Sequence, residues 1–267
     1  MLNRKPRPAP AGSVSLARAL SKLGYCSRTQ AEDLIRERRV KVDGRLAAHP
    51  SLRIDMNRAR VTVDGEAVGA NQRVYLMVNK LRGVVTTRSD PQGRPTIYDS
   101  ISELDLPFVA PVGRLDMASE GLLLMSNDTR WAQRILDPAS GVEKTYHVQI
   151  ETVPDEAFME RLRAGVVDGS ETLSTKSAEL LRHGERNAWV EMVIDEGRNR
   201  QIRRIVEAAG AQVLRLVRVG IGGLSLGELP KGAVRRLRPE EVALPLQTDK
   251  PSGTASAPTS VPLRARR

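Results

Sequence analysis

The chain has 267 residues, enough for one sizeable core and a small accessory domain. Its formal charge is +10, 40% of its residues are hydrophobic, and its single cysteine excludes an intramolecular disulfide and a cysteine-rich zinc site. No apolar run reaches the roughly 18 to 20 residues that span a bilayer, and the first twelve residues lack the apolar centre of a secretory signal, so no membrane and a cytoplasmic location are expected.

Taken in chain order, residues 1–12 are basic and rich in Pro and Ala, too poor in large apolar side chains to order themselves. A compact block is expected over 13–65. Leu16, Leu20 and Leu23 keep helical spacing and stop at Gly24, and Ser27 is placed to cap a second helix that carries Ala31, Leu34 and Ile35 on one face. Val40 and Val42 before Asp43-Gly44, and Val61 and Val63 before Asp64-Gly65, read as short strands with turns. Residues 1–60 hold 14 Lys and Arg against 5 Asp and Glu, so most of the net charge lies at this end. Such a charge offset points to a polyanion-binding module, because phosphate contacts supply most sequence-independent affinity for nucleic acid. Arg28, Arg36, Arg38, Arg39, Lys41 and Arg45 are expected on one helix and the turn after it, as an RNA-facing basic surface. The Ser27-Arg28 helix entry, the string from Leu34 to Gly44 and Pro50 before a last short strand resemble the S4 RNA-binding domain.

Residues 66–73 form a polar connector, and a second domain is expected over 74–247. Its β-rich stretches are 74–78, 121–126, 144–150, 188–194 and 212–219; its helical ones are 129–136, 155–164 and 200–209. This order predicts an α+β domain with a mixed, mostly antiparallel sheet flanked by helices, not a doubly wound one. Residues 248–267 return to Pro, Ser, Thr and basic residues and are expected to be a disordered tail.

Chemistry has few carriers here. His49, His147 and His183 are scattered outside any metal or triad spacing, and no phosphate-binding or dinucleotide glycine loop is present. With eight aromatic residues, recognition by a sheet of stacked rings is not expected. Asp116 in Gly113-Arg114-Leu115-Asp116, set between a basic residue and an apolar run, is the best nucleophile. Glu120 lies four residues on, as a glycosidase pair would need on a helix, but Gly121 and the run Leu122-Leu123-Leu124-Met125 indicate a strand that separates the two carboxylates.

The string from Gly113 to Asp128 resembles the signature of the RsuA-type pseudouridine synthases, which isomerise uridine in RNA. Glu143-Lys144-Thr145-Tyr146 and the segment from Glu196 to Arg204 match the same family in the same order, and Asp90 to Thr96 looks like its large-subunit rRNA branch; Thr129 departs from the Gly usual after Asn-Asp. The resemblance covers about residues 14–245 and implies three roles: Asp116 as nucleophile, Tyr146 packed against the target base, and Arg203 paired with Asp116. Arg114 is expected to fill space or hold phosphate where the nucleotide leaves its stack. The product is an isomer of the substrate, so neither cofactor nor metal is expected. The reading is an RNA pseudouridine synthase acting as a monomer on ribosomal RNA, most of all that of the large subunit. The alternatives are small-subunit rRNA or tRNA as substrate, and a non-catalytic S4-domain ribosome-assembly factor.

Overall fold

A computed structural model describes residues 13–69 and 72–247. The tracts 1–12 and 248–267, expected to be disordered, lie outside the described residues, as do positions 70 and 71 of the expected connector. The chain forms two compact units that divide between Val74 and Tyr75, with the short segments Asp105–Ala110 and Asn127–Thr129 grouping with the first. Among the described residues, no helix is long and apolar enough to cross a membrane.

The first unit runs β1 (Val14–Ser15), α1 (Leu16–Lys22), α2 (Arg28–Arg36), β2 (Val40–Val42), β3 (Arg45–Leu46), β4 (Arg53–Ile54), β5 (Val61–Val63) and β6 (Glu66–Ala67). Both helices start where a serine side chain takes up an otherwise unpaired amide. Ser15 accepts from Arg18 N, and Ser27 and Gln30 form a reciprocal capping box. Their inner faces, Leu16, Leu20, Ala31 and Ile35, close on Val40, Val61 and Val63 in one apolar cluster. Asp43-Gly44 and Asp64-Gly65 have positive φ at both residues, the backbone that two-residue hairpin turns require. These turns order the small antiparallel sheet β3-β2-β5-β6. They also correct the expected basic helix: Arg28 and Arg36 lie at the two ends of α2, whereas Lys41 belongs to β2 and Arg45 to β3, because the Val40/Val42 alternation continues as a strand across Asp43-Gly44.

The second unit contains β7 (Tyr75–Lys80), β8 (Ala110–Val112), β9 (Glu120–Ser126), α3 (Thr129–Leu136), β10 (Lys144–Ile150), α4 (Glu156–Ala164), β11 (Val166–Asp168), β12 (Glu171–Leu173), β13 (Ser177–His183), β14 (Ala188–Ile194), α5 (Gln201–Ala208), β15 (Val213–Ile221), β16 (Leu224–Ser225) and β17 (Val234–Arg236). Its sheet has the order β13-β14-β10-β15-β9-β7-β17, with β8 attached to β9 and β16 to β15. Along this order all pairs are antiparallel except β9 with β15, so the fold is the α+β class with the mixed sheet that the pattern predicted. In β10 the alternation is plain: Tyr146, Val148 and Ile150 are buried while the residues between them are half-buried. β9 is buried along its whole length, as its continuous apolar run implies.

Gly121 explains how that run enters the sheet. Its φ is +100°, and a Cβ there would sit 2.3 Å from the Arg218 carbonyl oxygen, so the parallel contact of β9 with β15 admits only glycine. Elements that the pattern did not predict are short or lie at the edge. β8, β11, β12 and β17 have three residues each, and β13 exposes Leu180 and Leu181 at the sheet's rim, which removes the alternation that marks a strand. β7 also runs two residues past the predicted end, because Asn79 and Lys80 are polar yet buried.

Candidate active site

Lys80 is 1% exposed at the end of β7. A buried ammonium needs hydrogen-bond acceptors, and its Nζ donates to the carbonyls of Leu81 (3.0 Å), Asp116 (3.0 Å) and Ser119 (2.8 Å). Burial lowers its pKa to about 8, with the Arg218 charge acting in the same direction and Asp116 and Glu120 opposing. The Asp116 and Ser119 carbonyls belong to the turn between β8 and β9, which Ser119 N closes on Asp116 O at 3.0 Å. Leu115 is buried just before it, its carbonyl accepting from the Thr86 hydroxyl at 2.7 Å. The loop is therefore held by its main chain and by one apolar side chain. Among the described residues the Asp116 carboxylate has no ion pair within 4.0 Å, and the residue is exposed.

Arg203, on the inner side of α5, reaches the same loop by another atom than expected. Its Nη2 donates to Ala118 O at 3.1 Å and its Nη1 to Val213 O at 3.3 Å, while its Nε is buried without a hydrogen-bond partner. Burial and the neighbouring Arg200 pull its pKa below the usual arginine value, and Asp116 opposes them through space. The two residues thus lie within each other's field without touching. Tyr146 is 8% exposed on β10, opposite Arg218 of β15 in the sheet register. Arg114 and Asp116 share with Tyr146 the wall of a cavity of about 380 Å³, a volume in the range of small-ligand sites. Arg203 does not line it.

Lys144, Arg198, Arg200 and Arg218 do line it. The other acids on the wall, Asp195 and Glu196, are paired with Lys176 at 3.4 Å and Arg198 at 2.9 Å, so among the described residues Asp116 is its one carboxylate without an ion pair. Glu120 takes no part. It is buried at the start of β9 and paired with Arg215 at 2.9 Å and Lys231 at 3.4 Å, which removes it as the partner of Asp116 in glycoside hydrolysis. Sequence reading missed Lys80 and Arg218, and gave Lys144, quoted in the Glu143 to Tyr146 match, no role of its own. A lysine closing the apolar strand from Tyr75 and an arginine within Val213–Ile221 were the available signals. In the first unit all six predicted RNA-binding residues are exposed. Arg36 is already paired with Glu32 and Asp33, and Arg39 with Asp64 and Glu37; Arg28, Arg38, Lys41 and Arg45 have no ion pair among the described residues. His147 meets Glu191 at 3.3 Å, and no cluster of three or more His, Cys, Asp or Glu that could hold a metal occurs among the described residues.

Comparison with known proteins gives matches across both units. Residues 74–208 match the family described as RNA pseudouridylate synthase, and residues 14–59 match the S4 domain. The ribosomal large subunit pseudouridine synthase B of Bacillus subtilis is 32% identical over 85% of this chain and 93% of its own. An uncharacterized RNA pseudouridine synthase of Rickettsia prowazekii is 37% identical over 81% and 91% respectively. A crystal structure of a pseudouridylate synthase superposes with a TM-score of 0.60 at 30% identity, covering 87% of this chain and 99% of that one.

The Lys80 clamp has a pH signature. Its pKa falls from 10.5 when unfolded to about 8 when folded, so between these values the unfolded chain binds more protons and stability rises with pH. Replacing it in Lys80→Met removes the titration. The stability of wild type relative to the variant, from urea denaturation, is expected to grow between pH 8 and 10.5, by about 3 kcal/mol at most. A difference independent of pH would show that the ammonium is not buried.

Proposed function

The chain belongs to the RNA pseudouridylate synthase family, as an RsuA-type enzyme with an N-terminal S4 domain, and from that premise we propose that it isomerises one uridine of large-subunit ribosomal RNA with Asp116 as nucleophile. The observation that carries this reading is the Asp116 carboxylate, exposed and, among the described residues, without an ion pair on the wall of a cavity rich in cations. Isomerisation breaks the C1′–N1 bond, turns the detached uracil and joins C5 to C1′. It therefore needs an anionic group beside the sugar and an enclosure that keeps the free base. Asp116 supplies the first. The cavity supplies the second, with the Tyr146 ring as a flat wall for the base.

Arg203 acts as a positioning residue. Through Ala118 O it fixes the turn that presents Asp116. Arg114, exposed beside Asp116, holds phosphate or the space of the extruded nucleotide. Large-subunit rRNA is favoured by the Asp90 to Thr96 segment and by the relatives that carry that substrate in their names. The enzyme acts as a cytoplasmic monomer without a cofactor.

Asp116→Asn keeps the side-chain volume and loses the charge, so turnover on large-subunit rRNA transcripts is expected to vanish while RNA affinity and melting temperature stay near wild type. Substantial turnover would remove Asp116 from the mechanism. Isomerisation of small-subunit rRNA or tRNA alone would move the substrate, and no isomerisation of any RNA would favour an assembly factor.

The first unit is assigned the sequence-independent part of RNA affinity. Changing Arg28, Arg38, Lys41 or Arg45 to Gln is expected to flatten the plot of log affinity against log salt by roughly 0.7 to 0.9 for each phosphate that the protein no longer neutralises. Arg36→Gln and Arg39→Gln remove charges already matched by carboxylates, so their effect is smaller. An unchanged slope in a variant carrying all four changes would place the RNA anchor elsewhere.

A further inference from the structure

Arg218 is 6% exposed in β15, directly across from Tyr146 of β10, and lines the cavity that holds Asp116. Its Nε donates to Leu122 O at 2.7 Å, which fixes the guanidinium, while its Nη2 is buried with no hydrogen-bond partner among the described residues. Leaving such a donor unmet is costly, and a folded protein tolerates it where a ligand supplies the acceptor. Lys144 stands two residues before Tyr146 on the same strand and lines the same cavity, its Nζ on Asp195 O at 3.1 Å. Neither Arg218 nor Lys144 has a carboxylate partner within 4.0 Å among the described residues. Burial and Arg218 both depress the Lys144 pKa, as two cations sharing one enclosed space must, and the Asp195 charge opposes them only in part. Such a pair without a direct counter-ion is built for an acceptor that gains negative charge.

We propose that Arg218, assisted by Lys144, is a catalytic residue that donates to a carbonyl oxygen of the target uracil and holds the charge that the base acquires when its glycosidic bond breaks. The inference rests on the pseudouridine synthase reading. When C1′–N1 breaks, its electron pair stays with the uracil, and the resulting anion spreads charge over N1 and the two carbonyl oxygens. After the base turns, C5 supplies the pair for the new bond to C1′ as the Asp116 carboxylate that displaced N1 leaves that carbon, the proton on C5 departs and N1 takes one up, so the product is an isomer and the carboxylate is regenerated. A preset donor at the oxygen where charge develops lowers the barrier to the first step without reorganisation. The backbone phosphates find other partners: Arg114 and Arg200 are exposed at the cavity, whereas Arg218 lies at the level of Tyr146 inside it.

The test uses an rRNA hairpin that the wild-type protein modifies, prepared with uridine, 2-thiouridine or 4-thiouridine at the target. Sulfur accepts hydrogen bonds more weakly than oxygen, so one of the two thio substitutions is expected to slow single-turnover isomerisation by wild type about ten- to a hundredfold. In Arg218→Gln the uridine rate falls by a similar factor, and that thio effect shrinks to about onefold, because the hydrogen bond it perturbs is gone. If Arg218→Gln does not fold, Lys144→Met serves instead, since its Nζ is held by a single carbonyl, and it is expected to shrink the same thio effect. An undiminished thio effect in a folded variant would overturn the proposal. So would loss, in Arg218→Gln, of a phosphorothioate effect at the target nucleotide, which would assign the guanidinium to phosphate. If wild type isomerises no RNA, the functional reading itself fails, an outcome distinct from both.

Discussion

The Lys80 ammonium, buried at the end of a central strand and satisfied only by main-chain carbonyls, is the constraint on which the site depends. A charge taken out of water must be matched, and matching it by carbonyl dipoles instead of a carboxylate pins backbone and leaves the nearby acid free. Two of its three acceptors lie in the turn that carries Asp116, and Arg203 takes a third carbonyl of that turn, Ala118 O. Two cations thus fix the geometry of the loop from behind. The Asp116 carboxylate is presented by contacts that never engage it.

The same logic extends to the cavity. Glu120, the nearest acid in sequence, is withdrawn into pairs with Arg215 and Lys231. On the cavity wall Asp195 and Glu196 are engaged by Lys176 and Arg198, while Lys144 and Arg218 face the same space without an ion pair among the described residues. A cavity of this kind attracts an electron-rich ligand and rewards the build-up of negative charge inside it. The first unit carries its charge on the outside, where Arg28, Arg38, Lys41 and Arg45 are exposed to solvent and keep their hydration.

Local rules made much of this legible. Ser27 as a cap, Asp43-Gly44 and Asp64-Gly65 as turns, and the β-rich stretch around Tyr146 are signals contained within a few residues, and each matches the observed element. The string around Asp116 marked the loop for the same reason. What stayed hidden is carried by contacts remote in sequence. Lys80 meets Asp116 across 36 positions and Arg218 meets Leu122 across 96, and nothing in the flanking pattern announces either partner. The contact between Arg203 and the loop also shows this. Family resemblance named the residue and directed it at the carboxylate, but which atom of the loop an arginine reaches is set by the packing of α5 against the sheet, and here it is Ala118 O. Edge strand β13 was missed because solvent on its rim lets Leu180 and Leu181 stand exposed, erasing the period of two.

Whether Asp116 breaks the glycosidic bond of an rRNA uridine is decided by mapping every pseudouridine in the ribosomal and transfer RNA of cells that carry either the wild-type chain or Asp116→Asn at the native locus. One pseudouridine of large-subunit rRNA is expected in the first and not in the second, with all others unchanged and equal amounts of the protein in both. Identical maps would contradict the assignment.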